Sequence, residues 1–234
     1  MFSNPSFRKK TFHIDAADQA PMTVKGTVRK TAILLTIVAV AAFNSFSFLS
    51  AGMVPLVPLV LIGAIGGFVV AMFTIAKPRY SPYTAPIYAL LEGAAVGAVT
   101  FLAESAQPGI ALPTVSLTFA ALGSMLFLWR VGLIKVNALF RQIVLVSLLS
   151  IVVVYLGTLL LTLAGFPAMW LHHHPFINGF AILVASLCLA IDFEQIKDGV
   201  KRKAPAYMEW YGAFGLVVTL VWLYLELLQM MGSD

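Results

Sequence analysis

The sequence predicts an all-α integral membrane protein of seven transmembrane helices with its N-terminus in the cytoplasm. Three observations carry that prediction. Of 234 residues, 60% are hydrophobic and 11% charged, against about 25% charged in a soluble globular domain. With a mean hydropathy of +0.94, the chain has too few polar side chains to clothe a water-exposed surface of its size. Seven apolar runs each come close to the roughly 20 residues that a helix needs to cross the hydrocarbon core. The cations fall in clusters separated each time by two such runs. A soluble enzyme, a disordered regulator and a secreted disulfide scaffold are excluded by composition alone.

Residues 1–30 are polar and basic, with Pro5 and Pro21. They read as a cytoplasmic tail ahead of one transmembrane domain, 31–234. The first apolar run starts too late and runs too long for a cleaved signal peptide. The predicted spans are 31–50, 54–76, 83–103, 109–129, 142–166, 175–193 and 207–231. Their short connections leave no room for a soluble module. Pro55, Pro58 and Pro113 lie near helix starts, where proline is tolerated.

Charge sets the orientation. The tail and the 77–82, 130–141 and 194–206 segments hold all fifteen Lys and Arg. The connections 51–53, 104–108 and 167–174 hold none, which places the basic side in the cytoplasm. Trp129 and Trp210 then lie at inner boundaries and Trp170 at an outer one, as suits amphipathic rings. The 130–141 segment reads either as a short amphipathic helix on the inner surface or as a helix extension with snorkelling cations. The net charge of +5 is therefore a topology signal. No basic face interleaves with aromatics, so nucleic acid is not a partner.

The acids do not avoid the membrane. Glu92, Asp192, Glu209 and Glu226 fall within or at the edge of predicted spans, where a carboxylate costs roughly 2.5–3.5 kcal/mol on insertion scales. No embedded Lys or Arg is available to neutralise them. Glu92 lies nine residues into the third span, about 14 Å along the axis, near the bilayer midplane. Asp192 and Glu209 lie at the cytoplasmic ends of spans six and seven and can meet at one depth. Such a pair would share a proton and titrate as a unit. Protonated, it would bridge the two helices. Ionised, it would loosen them and offer oxygen ligands to a hard cation such as Ca²⁺. The plain alternative has both residues solvated at the interface, or paired with Lys197 or Lys201. Glu226 is seventeen residues past Glu209, about 25 Å further along, and reads as an outer-boundary residue.

Other features are read as structural. Gly93 and Gly97 form a small-xxx-small pair permitting close helix approach. Cys188 is a small buried hydrophobe. His172, His173 and His174 cannot all reach one metal from a regular helix, so they read as a solvated loop. An embedded Lys for a Schiff base, an embedded His and a Gly-rich phosphate loop are all lacking. The expectation is a protein that is not an enzyme and has no cofactor.

Several stretches together resemble a known family. They are Ala190-Ile191-Asp192-Phe193-Glu194-Gln195-Ile196, Glu209-Trp210-Tyr211, Leu223-Tyr224-Leu225-Glu226-Leu227-Leu228, and Leu91-Glu92-Gly93 with Gly97. Across 31–231 the chain resembles the Bax-inhibitor-1 (TMBIM) family, in its bacterial YccA/YetJ-like branch. The resemblance implies six helices around a central seventh, in a bacterial inner (plasma) membrane. It implies a pH-sensitive Ca²⁺ leak channel, or a regulator of membrane processes that binds a partner such as a membrane protease. It also implies a carboxyl dyad between helices six and seven as pH sensor. Asp192 matches the helix six acid. Depth favours Glu209 as its partner, whereas the Leu-Tyr-Leu-acid pattern favours Glu226. Glu209 is preferred because a dyad must meet in space, and Asp192 with Glu209 would then be the Ca²⁺ contact. Glu92 looks like the pore acid. A proton-coupled transporter is the third reading, and it gains little from the proline positions.

Overall fold

The computed structural model describes residues 20–166 and 174–232. Seven helices cross the bundle: α1 Val24–Ser50, α2 Leu56–Ala76, α3 Ser81–Ala106, α4 Ala111–Arg130, α5 Ala138–Leu163, α6 Pro175–Lys201 and α7 Met208–Met231. Each is long and apolar enough to cross a membrane. Large apolar side chains such as Phe68, Phe127 and Leu149 remain exposed on the outside of the bundle. In water such a surface would drive association; in a bilayer it meets hydrocarbon. The protein is an integral, multi-pass membrane protein.

Successive helices alternate in direction. The starts of α1, α3, α5 and α7 and the ends of α2, α4 and α6 therefore share one end of the bundle. That end carries Lys30, Arg79, Arg130, Arg141 and Lys201, and is called the basic end below.

Three boundaries differ from those predicted. The first helix starts at Val24, so residues 24–30 of the expected tail form its first two turns. Thr23 is the N-cap, its hydroxyl accepting from Gly26 N at 2.9 Å, which satisfies an orphan donor of the first turn. At the other hairpin, α6 runs on past the apolar limit at 193 to Lys201. Its polar last turns are paired: Glu194 accepts from Trp129 Nε1 at 2.9 Å and from Lys197 at 3.0 Å, and Asp198 meets Arg141 at 3.4 Å. The 130–141 segment takes neither expected form. Gly132 adopts φ 78°, Leu133 N and Ile134 N turn back to Leu128 O, and this left-handed stop ends α4. The chain restarts as α5 behind Asn137, whose side chain accepts from Phe140 N.

Helix α7 is the centre. Phe214, Val217, Val221 and Tyr224 pack with Leu34 and Val38 of α1 and Tyr88 and Val96 of α3. Leu216, Leu220, Leu223 and Leu227 pack with Met125 of α4 and Leu189 and Phe193 of α6. A helix apolar on all sides can be buried on all sides. The remaining two helices lie further out, α2 mainly on α3 and α5 mainly on α6. Gly93 and Gly97 bring α3 onto α1. A Cβ on Gly93 would come within 2.6 Å of Val38 O, and one on Gly97 within 2.7 Å of Ala42 Cα.

Candidate functional site

The four intramembrane acids reach four different places. Asp192 lies nine residues before the end of α6, about 14 Å inside the basic end. Its Oδ2 accepts from the Thr219 hydroxyl of α7 at 2.7 Å. The same hydroxyl lies 3.2 Å from Gly215 O. These residues form the deep end of a cavity of about 330 Å³ that reaches Tyr211, Met208 and Met22 at the basic end.

Glu209 is not beside Asp192. It sits ten residues before Thr219, so the two carboxyls differ by about 15 Å along α7. The expected pair fails because α6 does not stop at 193; its extra turns carry Asp192 inward. The Glu209 carboxylate instead takes three bonds from the start of α1. Thr23 N and Thr23 Oγ1 each donate to Oε1 at 2.8 Å, and Lys30 Nζ donates to Oε2 at 2.5 Å. Lys30 also lies 5.5 Å above the Trp210 ring. The expectation that no embedded cation meets these acids is thus corrected: the Lys30 side chain is 16% exposed and neutralises Glu209. A Ca²⁺ contact shared by Asp192 and Glu209 is not formed. Among the described residues, no three His, Cys, Asp or Glu converge.

The strap before α1 completes this end. Pro21 bridges to Pro205 and Met22 N donates to Ala204 O at 2.7 Å. Met22 is buried. Residues 20–23 therefore cross the α6–α7 hairpin at the mouth of the cavity, and Glu209 fastens them.

Glu92 lies midway along α3 and faces α2. Its Oε2 would be 2.6 Å from a Cβ on Gly67, so the missing side chain of Gly67 makes room for it. The Asp192 cavity is not lined by Glu92, and the structure does not bring the two together. Glu226, expected at an outer boundary, is buried within the bundle. Its Oε1 accepts from Tyr155 of α5 and Trp222 of α7, each at 2.8 Å.

Trp170, His172 and His173 lie outside the described residues. His174 caps α6, with Nδ1 accepting from Phe176 N at 3.3 Å. Cys188 is a free thiol, half-buried.

Sequence reasoning missed Thr219, Tyr155, Trp222 and the Thr23–Lys30 pair. A signal existed for Thr219, a polar residue inside the most buried span. For Tyr155 none did, since tyrosines are common in such helices.

This is a membrane-embedded helical bundle with carboxyls set among its packed helices and a polar-ended cavity at its basic end. The chain belongs to the Bax inhibitor 1 like family, whose model matches residues 4–233. No curated protein matches the chain.

Proposed function

We propose that this chain is a pH-sensitive cation leak channel of the bacterial plasma membrane, with its basic end in the cytoplasm and Asp192 as the titrating gate. Ca²⁺ is the proposed cargo. The observation that supports this reading is the place of Asp192: at the deep end of a cavity from the basic end, on a hydroxyl with two acceptors in reach.

Thr219 has one hydrogen to give. With Asp192 ionised, that hydrogen goes to Oδ2 and a net negative charge stands at the end of the cavity, because Lys30 is committed to Glu209. Such a charge between low-dielectric walls concentrates cations. With Asp192 protonated, the carboxylic acid donates to Thr219, whose hydrogen turns to Gly215 O. The charge is gone and the bridge between α6 and α7 remains. A carboxyl loses its proton as pH rises, so the leak rises with pH on the cavity side. The gate is then one carboxyl and one hydroxyl, in place of the carboxyl pair expected from sequence.

Ca²⁺ flux from liposomes across a pH series tests this. The wild type is expected to leak more as cavity-side pH rises, and Asp192→Asn to leak little at every pH. A wild-type pH response in Asp192→Asn overturns the assignment of the gate. No flux at any pH favours a regulator that binds a partner, such as a membrane protease, without transport. Uphill accumulation favours a proton-coupled transporter.

A further inference from the structure

Glu226 has a different chemistry from the other acids. The residue is 4% exposed. Its Oε1 holds two donors while its Oε2 is buried with no hydrogen-bond partner. A buried carboxylate oxygen without a donor is costly while it carries charge, and a proton on the carboxyl removes that charge. Asn178 of α6, 1% exposed, lies against the turn that carries Glu226: with its amide turned so that oxygen faces donor and nitrogen faces acceptor, the nitrogen donates to Glu226 O at 2.9 Å and the oxygen accepts from Met230 N at 3.2 Å.

The surroundings decide what could neutralise the carboxylate. From α5 the facing titratable group is Tyr155; from α6 it is the Cys188 thiol, packed in the same cluster beside Trp222, with Asn178 as the polar group. On α7 itself, Tyr224 is bonded away to Thr100 of α3 at 2.8 Å. The next acid, Glu104 of α3, is occupied by Gly109 N and Ala111 N. Among the described residues, no cation is paired with Glu226. Beside Trp222 and Tyr155 the packing is apolar, from Val144 and Ile151 of α5 and Ala181 and Val184 of α6. A Ca²⁺ ion takes 6–8 oxygens, and one free oxygen in such a wall cannot hold it. A proton needs one oxygen only.

We infer that Glu226 is a proton-binding site of its own, separate from Asp192, whose occupancy sets the strength of the Tyr155 tie between α5 and the central helix. Seven residues separate Glu226 from Thr219, nearly two turns and about 10 Å along one face of α7, with Trp222 between them. Ionised, Glu226 accepts charge-assisted bonds from Tyr155 and Trp222, roughly twice as strong as neutral ones, and draws α5 onto α7. Protonated, it holds α5 more loosely. This inference is independent of the leak reading, since the site needs no flux to be loaded.

Trp222 reports on its own acceptor. The full chain with Trp129, Trp170 and Trp210 changed to Phe, in liposomes, leaves its emission as the readout across a pH series. Infrared pH-difference spectra of the unaltered chain give the carbonyl band of a protonated carboxylic acid. The expected result is a single-proton transition in Trp222 emission that is lost in Glu226→Gln and retained in Asp192→Asn. The infrared acid band should likewise disappear in Glu226→Gln. Should Glu226→Gln fail to fold, Tyr155→Phe serves, because losing one of two donors must move the midpoint. A flat emission with no acid band, a transition that survives Glu226→Gln, or an unmoved midpoint in Tyr155→Phe overturns the inference. Loss of the transition in Asp192→Asn alone would assign it to the gate and overturn it equally.

Discussion

Removing the Glu209 carboxylate should destabilise the fold by about 3 kcal/mol. The carboxylate accepts from Thr23 N, Thr23 Oγ1 and Lys30 Nζ. Its side chain is 10% exposed and that of Lys30 16%. An exposed ion pair contributes about 0–1 kcal/mol, whereas stripping one partner from a buried pair costs about 3–5 kcal/mol because the other charge is stranded. These exposures place the pair near the buried case. Lys30 keeps two lesser contacts, Ala206 O at 3.5 Å and the Trp210 ring, so the low end of the range applies. The perturbation is Glu209→Leu, beside Lys30→Met and the double variant. Both charges leave together in the double variant, which should therefore be more stable than either single one, with a coupling of about 2–3 kcal/mol. Denaturant unfolding of the detergent-solubilised protein, followed by circular dichroism, measures all three. A cost below about 1 kcal/mol for Glu209→Leu, or simple additivity in the double variant, would refute the reading of Glu209 as a buried fastener.

Two further outcomes are expected. Gly97→Leu should lower stability by about 1–3 kcal/mol by overpacking, since Ala42 backbone lies against it, while Gly123→Leu, with nothing within 4 Å, should be near neutral in the same unfolding assay. Thr219→Val removes the hydroxyl on Asp192; the pH midpoint of Ca²⁺ leak should move while the leak itself persists, and an unmoved midpoint would separate Thr219 from the gate.

Much of the architecture was legible in the chain. Seven apolar runs became seven helices, because length and hydropathy report the cost of placing a peptide in hydrocarbon one residue at a time. The small-xxx-small pair of Gly93 and Gly97 became the α1–α3 contact. The place of Glu92 midway along its helix was also legible, since it follows from counting residues. Helix ends were harder. The last turns of α6 are polar, and hydropathy cannot tell a polar turn paired with Trp129 and Arg141 from a loop. That one boundary moved Asp192 about two turns inward and separated it from Glu209.

The sequence by itself determined the class, the number of spans, the one-sided charge and the family likeness, all of which are sums over residues in order. Only the tertiary structure decided which partner each acid meets: Thr219 for Asp192, Lys30 and Thr23 for Glu209, the Gly67 gap for Glu92, Tyr155 and Trp222 for Glu226. The physical reason is rotational. Helices apolar on every side carry little periodic signal of which face turns inward, so the direction of a lone carboxyl is set by how neighbouring helices pack. Those contacts come from residues up to 186 positions apart in the chain, a separation that local patterning does not span.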